Sequence, residues 1–431
     1  MENLLKNKNF FYKIKKMFFP FYKSTNIKKL FYILEKDKKK DSEVAMFVGG
    51  CVRKFLTNEA IDDIDIATIF SPEEIKKKFE NSEFNVIDTG IEHGTITVVI
   101  NSNKFEITTL RQDITTDGRH AKVLFTDDWS RDSERRDFTF NAIYMNRKGK
   151  IYDPQNGRND LKKKEVKFIG APLLRIEEDY LRIIRFIRFS IHYNNKKSDP
   201  QTIEAIKLNL NGIKNISKER ILSELYKIFK LKNFNNILEN ENIKNIFIIA
   251  FPEFKHINRI EKLYYLLQKK ILKQSAEIIF SILLVDKEDN FEYFCHKYKV
   301  SNRLKRDLTF IANNYVKFKT EKNYLKKDLK KNIYKLGKTN IKNLIAFIYC
   351  AENFFSIKIL NKIISDVDKI EIPSFPYDGK YVLAQGVVDG KKIGFVLKEL
   401  EKEWIKNNFK LKPEEAIPIV EKVKKLNILN I

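Results

Sequence analysis

Asp63 and Asp65 stand two residues apart in the run Ile61-Asp62-Asp63-Ile64-Asp65-Ile66, where apolar and acidic residues alternate. Period-two alternation predicts a strand, and on a strand both carboxylates share one face, where they can bind divalent cations together. Upstream, Ala45-Met46-Phe47-Val48 reads as another strand ended by Gly49-Gly50, with a helix beginning over Val52 to Leu56. Paired glycines at a strand-to-helix turn let backbone N–H groups approach a phosphate, and a helix N-terminus favours that charge. A phosphate cradle followed within about twenty residues by a carboxylate pair is equipment for metal-assisted phosphoryl or nucleotidyl transfer. Taken singly, a Gly-Gly turn is a turn and an Asp-x-Asp is a solvated edge. The combination puts the chemical reading on an equal footing with the bland one.

Three further groups join this stretch. Glu106 lies in the strand-like KFEITTLR as a candidate third carboxylate, or as an edge-strand Glu facing water. Arg135-Arg136-Asp137 opens the apolar run around Phe138, Phe140 and Ala142, an arrangement suited to a ribose hydroxyl and a triphosphate, or to a structural ion pair. In Glu177 to Phe189, helical spacing puts Tyr180, Leu181, Ile183, Ile184 and Ile187 on one face. Asp179, Arg182, Arg185 and Arg188 fall on the other, with Phe186 and Phe189 among them. Asp179 and Arg182, one turn apart, offer an acceptor beside a fork of donors. Such a pair matches the amine-plus-ring-nitrogen edge that cytosine and adenine share, and would take CTP and ATP while rejecting UTP and GTP. Read plainly, it is an i,i+3 ion pair worth about 0.3 kcal/mol.

The elements that must hold these residues change texture along the chain. Residues 1–40 read as a basic helical extension. Residues 41–165 are short β-like runs with glycine turns, so this part is α+β, a mixed or antiparallel sheet with helices. From there the sequence is helical: a neck over 166–240, a body over 241–370 and a tail module over 371–431 whose last helix ends near Trp404. Gly157, in the connector Asp153 to Leu161, is expected to act as a hinge. The polar segment from Asp113 to Arg131 reads as a mobile loop, and KNYLKKDLKKNIYKLGK as a solvated helix face.

The net charge of +25 over 431 residues indicates a polyanionic partner, nucleic acid before others. Heavy use of Lys, Asn, Ile and Phe matches an AT-rich genome, which discounts the lysine excess. Arginine escapes that discount: only 16 of the 82 basic residues are Arg, and 12 of these fall between Arg53 and Arg188. There a rigid planar fork is needed rather than a point charge. Cys51, Cys295 and Cys350 form no C-x-x-C, which argues against a disulfide framework or zinc site and for a reducing, cytoplasmic setting. No apolar run reaches the roughly 18–20 residues of a membrane span.

These motifs resemble the tRNA nucleotidyltransferase and bacterial poly(A) polymerase family, within the polymerase-beta-like nucleotidyltransferases. GGCVRKFL…DDIDIAT is similar to its first motif, RRDFTFNA to the second, DPQNGRNDL to the third and EDYLRIIRFIRF to the fourth. ISKERILSEL, with Glu219, Arg220 and Glu224, is similar to the fifth, and Asp378 to Trp404 resembles the tail of longer bacterial members. The resemblance implies a template-independent enzyme adding C, C and A to tRNA 3′ ends. Asp63 and Asp65 would hold two Mg²⁺. Gly50, Arg53, Arg136 and Asp137 would bind triphosphate and ribose. Asp179 and Arg182, helped by Glu178, would read the base, with Arg185 and Arg188 supporting the pocket. Lys54 departs from the family pattern, which has Asp there. Poly(A) synthesis and CC- or A-only addition remain within the family. Outside it stands an idle RNA-binding scaffold. The absence of a GRRF-like run and the intact Asp113–Arg131 segment favour full CCA addition.

Overall fold

The computed structural model describes residues 20–36, 38–39, 42–116, 121–321 and 323–425. Two compact units emerge, Met1–Phe254 and Lys255–Ile431.

The first unit is built on a mixed seven-stranded sheet. Its strands are β1 (Ala45–Val48), β2 (Asp65–Thr68), β3 (Asn85–Gly90), β4 (Thr95–Ile100) and β5 (Asn103–Thr109), with the short β8 (Tyr144–Met145) and β9 (Ile151–Tyr152). Their order is β3-β4-β5-β2-β1-β8-β9. Every pairing is antiparallel except β2 with β5. β1 is buried along its whole length, as its unbroken apolar run requires of a central strand. Met46, Val48, Ala67, Leu110 and Tyr144 form one core cluster of this unit. Ser71 caps the helix Pro72–Phe79 through a reciprocal pair with Glu74. Of the basic extension, residues 1–19 lie outside those described. The remainder of it includes the helix Thr25–Leu34, which buries Ile27, Leu30, Phe31 and Leu34.

Two expectations change here. The segment expected to be a mobile loop contains a two-stranded ribbon, β6 (Arg111–Thr116) with β7 (Ala121–Phe125), then the helix Trp129–Glu134. Its tip, 117–120, lies outside the described residues. Apolar and polar residues alternate in Lys122-Val123-Leu124-Phe125 weakly enough that the surrounding charges hid the strand. Gly157, expected as a hinge, is a close packing position: a Cβ there would collide with the Thr139 carbonyl. Glycine is required because the helix Gly157–Lys163 starts against that backbone.

The rest of the first unit is helical. An aromatic cluster ties it to the sheet: Phe138 stacks on Phe140 and Phe168, and Phe168 on Phe186. Phe186 is therefore core, not part of the arginine face, and is fully buried. The second unit is all helical. Ala276–Leu284 is almost wholly buried, and Tyr377, Val396, Leu400, Trp404 and Val420 belong to a separate cluster. A helix from Pro413 to Lys424 comes after the one containing Trp404, so the tail has one helix more than expected. Pro418 lies inside this helix. No described helix is long and apolar enough to cross a membrane.

Candidate active site

The two glycines form the turn from strand to helix. Gly49 adopts φ +71°, a conformation that side chains resist, and caps the eight-residue helix Gly50–Thr57. A Cβ on Gly49 would lie 3.7 Å from Asp65 Oδ2 and 3.9 Å from Arg136 Nη1, so the turn sits between a carboxylate and a guanidinium. A Cβ on Gly50 would meet nothing within 4 Å. The start of the helix is open, and its first N–H groups are available to an anion.

Asp65 begins β2, paired antiparallel with Val48 and parallel with Glu106. Asp63 precedes the strand and is exposed, so strict alternation does not extend back to it. The ladder is kept one residue further only by Glu106 N–H donating to the Ile64 carbonyl at 3.2 Å. Burial, with the neighbouring Glu106 and Asp63 charges, pushes the Asp65 carboxyl up to about 6 although Arg136 and Arg53 partly offset the rise. Cys51 seals the site from behind, its thiol directed at the Val48 and Asp65 carbonyls and pushed up to about 12 by burial.

A cleft of about 540 Å³ opens in front of these groups, lined among others by Gly50, Arg53, Asp63, Asp65, Arg136 and Arg185. Its cations differ in how they are held. Arg136 donates to Asp132 Oδ2 at 3.0 Å and to the Tyr144 hydroxyl at 3.2 Å. Arg185 donates to Asp137 at 2.7 Å, and that charge, against the pull of burial, holds the Asp137 carboxyl down at about 2. Arg188 donates to the buried Glu224 at 2.7 Å and lies over the Phe189 ring at 4.1 Å. Arg53 is different. It is 8% exposed, donates to the Asn141 side-chain oxygen and rests over Phe189 at 4.8 Å. Its Nε has no hydrogen-bond partner, and among the described residues no carboxylate pairs with it. A buried guanidinium with no carboxylate in ion-pair contact is suited to receive an anion.

The residues expected to read the base lie elsewhere. Asp179 and Arg182 do not share a helix, because Asp179 ends Pro172–Glu178 in an extended conformation and Leu181–Tyr193 begins beyond it. Asp179 accepts from the Leu181 N–H at 3.1 Å, the local bond by which Asp favours helix starts over interiors. Its other oxygen accepts from Arg220 at 2.7 Å. Arg182 donates to Glu178 at 2.6 Å and to the Arg175 carbonyl at 2.7 Å. Neither Asp179 nor Arg182 lines the cleft. Lys54, the departure from the family pattern, pairs with Asp62 at 2.8 Å.

Sequence reasoning missed the residues that hold the site. Asp132 is fully buried and also accepts from Arg135 Nε at 2.8 Å and the Tyr144 hydroxyl at 2.7 Å. Arg136 and Arg135 hold its carboxyl well below the usual range although burial opposes them. Asn141 donates to Asp137 at 2.8 Å. Lys227 lines the cleft and pairs with Glu224 at 2.8 Å. The motifs pointed at the charged residues; the Asn in RRDFTFNA was the available signal for its role, and Asp132 had none.

The donor set suits a hard cation. Asp63, Asp65 and Glu106 present oxygen only, and their mutual repulsion at a buried carboxylate is what a divalent ion would relieve. Among the described residues no three His, Cys, Asp or Glu side chains form a ready-made cluster.

A mixed sheet carrying a carboxylate pair beside a Gly-Gly helix start, with a helical remainder, defines a nucleotidyltransferase of the polymerase-beta-like class. Residues 45–167 match the Poly A polymerase head domain, and 197–257 the probable RNA and SrmB-binding site of polymerase A. The CCA tRNA nucleotidyltransferase 1, mitochondrial, of Danio rerio is 31% identical over 86% of this chain and 85% of its own. The CCA-adding enzyme of Staphylococcus haemolyticus is 34% identical over 79% and 81%. The chain belongs to the CCA-adding tRNA nucleotidyltransferase family. The Bacillus stearothermophilus CCA-adding enzyme in complex with CTP shares the fold, with TM-score 0.65 and 21% identity over 95% of this chain and all of that one. The Thermotoga maritima CCA-adding enzyme complexed with tRNA gives TM-score 0.60 at 18% identity, covering 93% and 96%.

Proposed function

We propose that this chain is a template-independent nucleotidyltransferase that adds C, C and A from CTP and ATP to tRNA 3′ ends, releasing pyrophosphate. The observation that carries the reading is the convergence of Asp65, Arg136 and the unpaired Arg53 around the open Gly49-Gly50 turn. The names of the similar proteins support the choice of tRNA and of CCA.

Asp63 and Asp65, with Glu106 as the third carboxylate, would hold Mg²⁺, which when bound activates the primer 3′-hydroxyl and stabilises the leaving pyrophosphate. The helix start at Gly50 and the Arg53 guanidinium take the triphosphate. Arg136, kept in place by Asp132, closes its other side. Asp137 orients Arg185, and Glu224 orients Arg188. For Asp179 and Arg182 to read a base they must exchange their partners, Arg220 and Glu178, for the nucleotide's edge. The exchange costs little, since one charge-assisted bond replaces another.

Within the two units we assign the head to 41–165, the neck to 166–240, the body to 241–370 and the tail to 371–431. The three buried, unpaired thiols support a reducing compartment, and we take this to be the cytoplasm. The test supplies each nucleotide alone, then all together, to a tRNA transcript lacking its last three residues. CTP alone should add two residues, and ATP alone, UTP and GTP none. A long A tail would overturn the reading in favour of a poly(A) polymerase, and a stop after CC in favour of a CC-adding enzyme.

A further inference from the structure

We infer that Arg175 is a positioning residue for nucleotide choice, a brace between the triphosphate clamp and the base-reading segment. The inference rests on the base-reading role given above to Asp179 and Arg182. Arg175 lies in the helix Pro172–Glu178, and its side chain is mostly buried. It reaches back to the strand side of the site. Its Nη2 donates to the Arg135 carbonyl at 2.7 Å and to the Arg136 carbonyl at 2.8 Å. Two consecutive carbonyls held by one charged nitrogen fix the backbone from which the Arg136 side chain extends to the cleft.

The same guanidinium holds the base-reading side. Arg175 Nη1 pairs with Glu178 Oε2 at 2.6 Å, and Arg182 Nη1 donates to that same oxygen at 2.6 Å. Arg182 Nη1 also donates to the Arg175 carbonyl at 2.7 Å, and its Nη2 to the Arg135 carbonyl at 3.5 Å. All three of these acceptors belong to Arg175 or are held by it. A planar fork can engage Glu178 and both carbonyls at once, which the point charge of a lysine cannot.

Two consequences follow for a nucleotide. Its triphosphate meets Arg136 and its base meets Arg182, so Arg175 sets the distance between the two contacts. When Arg182 turns from Glu178 to a base edge, Arg175 stays on Glu178, and no half-buried carboxylate is left without a counter-charge. The facing Arg182 charge weighs against the Arg175 cation, as burial does, and the turn of Arg182 relieves that repulsion.

The experiment compares R175K, R175A and R182A with the wild type on a tRNA transcript lacking its last three residues. It measures kcat and KM for CTP and for UTP separately. Thermal melts and tRNA affinity are taken on the same preparations, and R175K, which keeps the charge, is the variant read if R175A does not fold. R175K should lower the preference for CTP over UTP by about tenfold, mainly through a raised KM for CTP, with tRNA affinity kept. R175K/R182A should discriminate no worse than R182A alone, because both changes act through one side chain. A purely structural brace would lower the melting temperature and leave the preference where it was. Wild-type preference in folded R175K would therefore overturn the inference, as would additive losses in the double variant. Wild-type preference in R182A would sink the base-reading role and the brace with it. Lost preference in R182A beside wild-type preference in R175K would sink the brace alone.

Discussion

Glu106 faces Asp65 directly across the parallel pairing of β2 and β5, so the half-buried carboxylate of the cleft has a like charge on the adjacent strand. The register makes this a fixed repulsion. A single-residue slip would send Glu106 to the opposite face of the sheet. The strain is stored in the metal-free protein and is relieved by a proton or by a cation.

One consequence is a pH-dependent stability. Asp65 ionises near 6 in the folded protein against 3.8 ordinarily, so its contribution is fully present below 3.8 and lost as pH rises through about 6. Asp65→Asn removes that loss. In metal-free unfolding experiments the variant should gain on the wild type by up to about 3 kcal/mol between about pH 3.5 and about pH 7.5. Glu106→Gln should shrink the gain. A difference that is the same at both ends of the range would mean that Asp65 is not strained.

Asp132 is the support behind Arg136. Removing it leaves two buried guanidinium groups without their counter-charge, so Asp132→Ala should cost about 3–5 kcal/mol. Asp132→Asn keeps the shape and should cost less stability while raising the KM for both CTP and ATP. Denaturant midpoints and steady-state kinetics check the two effects separately. Unchanged KM in a folded Asn variant would show that Arg136 does not need this anchor.

Selectivity should reside in Asp179 and Arg182. Asp179→Ala is expected to relax or abolish the choice of CTP and ATP over UTP and GTP. Arg220→Ala, which frees Asp179 from its partner, should retain the choice. Competition assays with all four nucleotides measure both. Intact selectivity in Asp179→Ala would reject the side-chain template.

Gly157→Ala tests packing against hinge motion. The added methyl would collide with the backbone at Thr139, so the expected result is a loss of about 2–3 kcal/mol measured by chemical denaturation. A stable variant that has lost only turnover would restore the hinge.

Much of the site could be read from residue order. The acidic alternation located Asp65 on its strand but not Asp63, which precedes it; the glycine pair located the turn and the helix start at Gly50; and the arginines between 53 and 188 include those that line the cleft. What stayed hidden depends on partners distant in sequence. Asp132 sits among charged neighbours and looks like loop, yet Tyr144 and Arg111 from other strands bury it. Helical periodicity spread Asp179 and Arg182 over one face. A local side-chain bond to Leu181 instead broke the helix between them. Phe186 and Phe189 share a helix and a residue type. Both are buried in the aromatic cluster; only the three-dimensional contacts show that Phe189 also forms a bed for Arg53 and Arg188.

Transfer at Asp63 and Asp65 is tested most directly by single-turnover addition of A to a tRNA ending in CC. Asp63→Asn and Asp65→Asn are compared with the wild type, and tRNA affinity is measured on the same preparations. Addition should fall by about a thousandfold or more in each variant while tRNA affinity is kept. Addition at the wild-type rate by either folded variant would contradict the assignment of these carboxylates.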